Sequence, residues 1–512
     1  MDKKWWTLLA VVLSTFMLLL DTTIVNTALP SIQRDFHGSL ASLQWVIDAY
    51  ALVLAAALLV GGSLADRFGR RLLFAIGNAI FTVGSLLCGL ATGSLFLILA
   101  RGLQGVGGAI MLATSLALLN HAFRGKDRGT AFAVYGAVTG IAVAIGPLAG
   151  GLITTDISWP WIFFINVPIG VAATVITLAR VSDSRNPAAV RVDLPGFGTF
   201  AGGLAALVYG LIESADGWNQ TRVVVSLILA GVLLAAFVVI EFSQPRPMLD
   251  LSLFRKPTFT GGLIAAFALA GSMFALITYI ILYLQNLLGY NALDSGLRTT
   301  SITLAVLVTS TIAGRLTTVV PAKFMIGAGF VCIGAGLLLM RGLTATSVWT
   351  HLIPGMILSG IGAGLVTVPL AATAVGVVEP ARGGMASGIN STFRQVGLAT
   401  GIALYGSLFA SQLRHGVTEA LLRTAYAPRA AQLAAALQPG QRTGSVPAVV
   451  SGAVRAGFTS AENEIMLVGA AVALAAAVTS LVLIRARDFV PMPVPVPAGT
   501  QQPAVMTAPM DQ

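Results

Sequence analysis

Charge is scarce in this chain. Only 10% of its 512 residues are Asp, Glu, Lys or Arg, where an ordinary soluble domain carries about 25%. With a mean hydropathy of +0.87, the chain cannot cover a globular surface of this size with charge. A soluble enzyme, a nucleic-acid-binding protein and a disordered chain are all excluded. Cysteine is nearly absent: Cys88 and Cys332 both lie in apolar runs, so there is no disulfide framework. The lysines are Lys3, Lys4, Lys126, Lys256 and Lys323, and none sits in a G-x-x-x-x-G-K-[ST] loop. The histidines, at 37, 121, 351 and 415, are scattered. No His-Glu-x-x-His, Cys-x-x-Cys or G-x-S-x-G pattern occurs. Metal chemistry, hydrolysis by a nucleophile elbow and nucleotide-driven work are not expected. An ion gradient is the remaining source of energy.

Long apolar runs are abundant instead. A bilayer core about 30 Å thick needs roughly 20 apolar residues per helix. Fourteen runs qualify: 6–29, 43–65, 72–92, 95–119, 132–154, 160–180, 196–214, 222–241, 259–284, 299–320, 323–343, 351–374, 392–411 and 464–484. They are too long and too continuously apolar for the alternating strands of a membrane barrel. The net charge of +10 therefore reads as a topology signal rather than as nucleic-acid binding. With the N-terminus inside, short inner loops and tails hold 19 Lys and Arg and short outer loops hold 4. That asymmetry places both termini in the cytoplasm.

The chain also repeats itself weakly. TGIAVAIG at 139–146 is similar to TGIALYGS at 400–407, and GVGGA at 105–109 to GIGAG at 360–364. The offsets suggest duplication of a six-helix unit with two helices between the copies. The expected organisation is a first bundle over 1–181, two linker spans over 182–256, a second bundle over 257–488 and a Pro-rich, disordered tail over 489–512. A long outer loop is expected over 412–463.

Three ionisable residues stand inside the first-half spans: Asp21, Asp48 and Arg101. At comparable depth in the outer half of the membrane, they are expected to face one another or a wet cavity, because facing lipid costs a few kcal/mol each. Two readings stand for them: an interhelical ion pair, or carboxyls that exchange a proton when substrate or conformation changes their surroundings.

GGSLADRFGRR at 61–71 joins the second and third spans. Its Gly62 allows close packing, Asp66 can meet a helix N-terminus, Gly69 permits a tight turn, and Arg67, Arg70 and Arg71 are cationic. In GIAVAIGPLAGG at 140–151, Gly146 and Gly150 form a smooth packing face and Pro147 bends the helix.

These stretches resemble the fourteen-helix drug:proton antiporters of the major facilitator superfamily. LDTTIVNTALP at 20–30 is similar to that family's first-helix motif, and GSLADRFGRR at 62–71 to the superfamily loop motif. LILARGLQGVGGA at 97–109 is similar to its fourth-helix motif, and GPLAGG at 146–151 to the motif associated with exporters. WPWIFFINVPIG at 159–170 and GMASGINSTFRQVG at 384–397 also resemble family stretches. The resemblance covers most of residues 6–484. It implies an all-α membrane protein of the major facilitator fold, with two six-helix bundles, two linker helices and a central cavity. It implies proton-coupled export of amphipathic small molecules such as drugs, antibiotics and dyes by alternating access. The protein would be a monomer in the cytoplasmic membrane of a bacterium, surrounded by lipid, without cofactor, metal or nucleic-acid partner and without enzymatic activity. An exporter of lipids or lipid-linked metabolites is the alternative, and a nutrient symporter is a weaker one. Asp21 is the expected proton site, with Arg101 its partner and Asp48 second. Gly62, Asp66, Arg67, Gly69, Arg70, Gly146, Pro147 and Gly150 are expected to serve gating. Asn26, Gln104, Tyr279, Tyr283, Gln285, Asn390 and Arg394 are expected cavity contacts. Asp66 is expected to latch onto the helix N-terminus that comes after Arg382. The second half shows no clear intramembrane acid in this reading.

Overall fold

In a computed structural model of the chain, residues 2–123, 125–183, 193–244, 247, 249–317, 319–379, 383–436 and 447–489 are described. Among them there is no strand, and fourteen helices are long and apolar enough to cross a membrane. They are α1 (Lys3–Phe36), α2 (Leu40–Phe68), α3 (Arg70–Gly89), α4 (Ser94–Ala122), α5 (Gly125–Asp156), α6 (Trp161–Arg180) and α7 (Leu194–Glu213). The second group is α8 (Thr221–Ser243), α9 (Pro257–Leu287), α10 (Ala292–Leu316), α11 (Ala322–Met340), α12 (Ile353–Gly376), α13 (Gly383–Leu422) and α14 (Ala448–Leu483). The chain is a multi-pass membrane protein. With fourteen such helices among the described residues, the start of α1 and the end of α14 lie at one end, here the terminal end; the opposite end is the far end.

The first six helices pack together: α1 on α5 and α6, α2 and α3 on α4. The last six do likewise: α9 on α13 and α14, α10 and α11 on α12, α11 on α14. Between them α7 and α8 pair, and α7 lies along α2 and α13. The outward side of α8 carries exposed Val225, Ile228, Val232, Val239 and Phe242, an apolar face suited to lipid.

Glycine sets the closest approaches. A Cβ on Gly105 of α4 would stand 2.8 Å from the Tyr50 carbonyl of α2, and one on Gly107 would stand 2.5 Å from the Phe81 nitrogen of α3. Only hydrogen at those positions lets α4 lie against both neighbours. Gly69 joins α2 to α3 at φ +101°, a conformation that side chains disfavour.

Residues 412–463 are more helical than the sequence suggests. α13 continues to Leu422, a short helix spans Ala430–Ala436, and α14 begins at Ala448. Forty residues of α helix are about 60 Å long, twice the hydrocarbon thickness. The extension holds because α13 and α14 pack beyond the apolar region: a Cβ on Gly416 would stand 2.9 Å from the Gly457 Cα. The tail from 490 onward lies outside the described residues.

The two bundles meet unevenly. At the far end, a Cβ on Gly151 of α5 would stand 2.6 Å from the Ala292 carbonyl oxygen of α10, and the Leu293 amide donates to Thr155 Oγ1 at 3.0 Å. Midway, Thr303 Oγ1 donates to the Ala144 carbonyl at 3.3 Å, and a Cβ on Gly140 would touch Leu307 at 3.0 Å. Nearer the terminal end the helices part. Gly136 and Gly129 lie on the same face of α5 as Gly140, and Gly314 lies two turns beyond Leu307 on α10. A Cβ on any of these three would meet no atom within 4 Å. The two bundles thus touch at the far end and midway, while α5 and α10 part at these glycines toward the terminal end.

Candidate functional site

Asp21 of α1 and Arg101 of α4 form a buried ion pair, with side-chain exposures of 0% and 1%. Arg101 Nη1 donates to Asp21 Oδ2 at 2.5 Å. The other oxygen, Oδ1, accepts from Gln104 Nε2 and from Asn166 Nδ2, each at 3.1 Å. Arg101 is held on three further sides. Its Nε donates to the Val46 carbonyl at 3.1 Å, Nη1 also reaches Gln104 Oε1 at 2.8 Å, and the guanidinium lies over the Tyr50 ring at 4.2 Å. Gln104 Nε2 further donates to Ser85 Oγ at 2.7 Å. Helices α1, α2, α3, α4 and α6 thus all contribute to one polar knot in an apolar bundle. Such a pair depends on partners for its remaining hydrogen-bonding groups; here both carboxylate oxygens of Asp21 and the Nε and Nη1 of Arg101 are bonded, while Asn166 Oδ1 has no partner.

Asp48 belongs to a different surface. Val46 and Tyr50 of α2 face Arg101, so Asp48, about half a helical turn away from each, faces away. It shares a stripe with Gln44 and Ala55 that meets α13 of the second bundle. Gln44 Nε2 donates to the Ile402 carbonyl at 3.0 Å, and the Ala55 carbonyl accepts from Thr392 Oγ1 at 3.3 Å. Asp48 is fully buried and neither of its oxygens has a hydrogen-bond partner. Of the three groups expected to face one another or a wet cavity, Asp21 and Arg101 face each other, and Asp48 is on the stripe of α2 that meets α13.

The expected cavity contacts divide. Gln104 is fully buried inside the Asp21 knot. Tyr279, Tyr283 and Gln285 of α9 are buried at or near the seam. Tyr279 Oη donates to the Ile402 carbonyl at 2.7 Å, and Gln285 Nε2 donates to the Thr27 carbonyl of α1 at 2.9 Å. Thr278 Oγ1 lies 3.4 Å from Asn26 Oδ1. Tyr283 Oη lies 3.4 Å from the Ser347 carbonyl in the far-end loop. Of these, the Gln285–Thr27 and Thr278–Asn26 contacts cross between the bundles. Two wide i→i+5 turns in α9, at Ala270–Phe274 and Tyr283–Leu287, reset the helical register and let this polar set face the first bundle. Asn390 and Arg394 of α13 lie nearer the terminal end. The Asn390 Nδ2 group is buried without a partner, and Arg394 is within electrostatic reach of Tyr135 on α5. Tyr135 in turn faces Thr15 of α1.

Among the expected gating residues, a Cβ on Gly150 would stand 2.6 Å from the Ile24 carbonyl oxygen, and one on Gly146 would overlap Thr23. These two glycines seat α5 on α1. Pro147 lies in α5, and its carbonyl is where a Cβ on Gly296 of α10 would collide. Arg67 stacks on Phe68 at 5.3 Å, and Arg71 donates to the Leu178 carbonyl. Arg70 sits at the start of α3. The side chain of Asp66 and residues 380–382 lie outside what the structure describes, and Gly62 lies within α2.

Sequence reasoning missed Asn166, Ser85, Gln44, Tyr50 and Tyr135, which are ordinary polar or aromatic residues in apolar runs. It also missed Glu462, a fully buried acid of α14. Its position two residues before an apolar run made it read as loop.

Comparison with known proteins gives a consistent result. The family model described as Major Facilitator Superfamily matches residues 11–411. The Puromycin resistance protein pur8 of Streptomyces alboniger is 37% identical over 411 residues, 79% of this chain and 82% of that protein. The Tetracenomycin C resistance and export protein of Streptomyces glaucescens is 32% identical over 522 residues, 97% of this chain and 95% of that protein. Among solved structures, a bacterial homologue of the human lysosomal transporter Spinster, in an inward-facing and occupied conformation, superposes with a TM-score of 0.63. The match has 16% identity and covers 94% of this chain and 98% of that one, a likeness of fold.

Proposed function

The chain belongs to the major facilitator superfamily, and from that premise we propose that it is a proton-coupled antiporter exporting amphipathic small molecules, antibiotics among them, across the cytoplasmic membrane. The observation that carries the coupling is the buried Asp21–Arg101 pair. It joins two helices of the first bundle in a site where a proton on Asp21 would dissolve the ion pair and free Arg101 for other partners. A buried pair held by so many partners is sensitive to any movement that removes one. Asp48, buried without a partner at the seam, is the second carboxyl of the mechanism.

The export reading draws on relatives named for resistance and export. The Lys and Arg asymmetry supports a cytoplasmic terminal end, and in that orientation the gap between α5 and α10 faces the cytoplasm. Substrate would enter there and meet Tyr135, Asn390 and Arg394. Closure of that end, with Asp66 latched to the start of α13, would accompany opening of the far end. The protein works as a monomer in lipid, without a prosthetic cofactor. A proton entering down a potential supplies about 2.3 kcal/mol per 100 mV. At roughly 150 mV this sustains a concentration ratio of a few hundredfold for a neutral substrate.

Inverted membrane vesicles test the reading. A panel of candidate compounds, puromycin among them, is offered with and without an imposed pH gradient. Uptake into vesicles that depends on the gradient and vanishes in Asp21→Asn is expected. Transport unaffected by collapsing the proton gradient would refute it.

A further inference from the structure

Three carboxyls inside spans have no solvent exposure among the described residues: Asp21, Asp48 and Glu462. Asp21 pairs with Arg101, and both of its oxygens accept hydrogen bonds. Glu462, on α14 of the second bundle, has neither a counter-charge nor a hydrogen bond on either oxygen. Its orientation is fixed by its neighbour. Asn463 Oδ1 accepts the Leu343 amide at 3.0 Å, its Nδ2 donates to the Leu343 carbonyl at 2.9 Å, and its own carbonyl accepts from Arg341 Nε at 3.1 Å. With Asn463 pinned to the segment after α11, Glu462 is turned about 100° away, into the bundle.

Glu462 acts electrostatically on two tyrosines of α9. Both Tyr279 and Tyr283 are within its electrostatic reach, and Tyr279 is also within reach of Asp48. The surrounding walls are aromatic: Phe458, one turn earlier on α14, packs on Phe409 of α13 at 4.8 Å and near Tyr283 at 6.3 Å. Tyr405 of α13 stands 6.4 Å from Tyr279. The charged groups in the neighbourhood are Arg455, which acts on Tyr283, and Arg341, which is committed to Asn463. An ionised carboxylate in such a place would cost several kcal/mol. The closed far end tolerates the neutral acid.

We propose that Glu462 is a further proton-carrying carboxyl of the transport cycle, beyond Asp21 and Asp48 and on the second bundle, loaded from far-side water and required in its neutral form for the far end to close. This rests on the antiport reading above. Tyr283, which reaches the far-end loop at Ser347, stands on the loading side. Tyr279, bonded to the seam at Ile402, stands on the side of Asp48 and the first bundle. The O–H bond of the Glu462 carboxyl breaks when the proton is returned to water on the terminal side, and the carboxylate is reprotonated when the far end next opens.

The test uses the full chain in lipid nanodiscs and in vesicles. Spin labels are placed at Ile157→Cys, at the exposed far end of α5, and Ala345→Cys, in the far-end loop of the second bundle, with Cys332→Ser. Infrared difference spectra are recorded on the same protein. In wild type, a neutral-carboxyl carbonyl absorption is expected that Glu462→Gln removes. Raising the pH should separate the labels in wild type and leave them close in Glu462→Gln. In vesicles with puromycin as the probe, the variant should carry one proton fewer per cycle, lowering the steady-state ratio about 50-fold at 100 mV. An absorption unchanged by the substitution, label distances that track pH alike in both proteins, or an unchanged proton count overturns the proposal. Absence of any proton movement by wild type refutes the antiport reading itself and is seen separately.

Discussion

Replacing Asp21 by Asn keeps the shape of the side chain and removes its charge. The hydrogen bonds around the carboxylate set the consequence. Gln104 Nε2 and Asn166 Nδ2 both donate to Oδ1, and the amide oxygen of Asn can accept from both. The amide nitrogen then takes the place of Oδ2, where Arg101 Nη1 donates at 2.5 Å, so two donors face each other. Arg101, 1% exposed, is left without a counter-charge. Breaking a buried pair by removing one partner costs about 3–5 kcal/mol. The Val46 carbonyl, Gln104 Oε1 and the Tyr50 ring still hold the guanidinium, which puts the expected loss near the lower end, about 3 kcal/mol. That corresponds to about 150-fold in an unfolding equilibrium. Arg101→Gln added to Asp21→Asn removes the stranded charge and should recover most of the loss, so the double-mutant cycle should show strong coupling. Unfolding in detergent micelles measures stability, and gradient-driven uptake into inverted vesicles measures function. Asp21→Asn should be both destabilised and inactive in uphill transport; the double variant should be stable and still inactive. A double variant no more stable than Asp21→Asn would refute the account of the pair. Uphill transport by either variant would remove Asp21 from the coupling.

Gly296→Ala should prevent the far end from closing, because the added Cβ would collide with the Pro147 carbonyl across the seam; labels on Ile157→Cys and Ala345→Cys should lie farther apart than in wild type. Gly136→Ala, which meets open space on α5, should leave those distances unchanged and serves as the control. At the terminal end, the hydrogen bond that Thr258 Oγ1 donates at 2.7 Å, aided by the Thr258 amide at 3.2 Å, holds the Asp488 carboxyl below its ordinary value of 3.8. A carboxyl depressed in the folded state contributes stability above its unfolded pKa and loses it as pH falls through the folded one. Asp488→Asn should therefore lower the melting temperature at neutral pH, with the gap to wild type closing below about pH 4.

Much of this molecule is legible from composition and spacing alone. Too little charge for a soluble surface and fourteen runs of bilayer length determine a polytopic helical protein, because a backbone in lipid must satisfy its own hydrogen bonds. The intramembrane Asp21 and Arg101 announce a pair, since neither is tolerated alone in an apolar bundle. Tertiary structure decided the rest. Asp48 and Arg101 sit at comparable depth in the sequence reading, yet the helical phase of α2 sends Val46 and Tyr50 to one neighbour and Asp48 to another, and no count of apolar residues reveals which neighbour lies where. Gln104 reads as a cavity residue until α3 and α6 are seen to bring Ser85 and Asn166 against it. Glu462 reads as loop because hydropathy falls at the far end of α14, where Arg455, Asn463 and Glu464 cluster with it. Helix continues there because α13 packs beside it through Gly416 and Gly457, and burial results from that packing. A sequence states what each helix must hide from lipid; only the packed bundle decides which polar groups are hidden together and which are hidden alone.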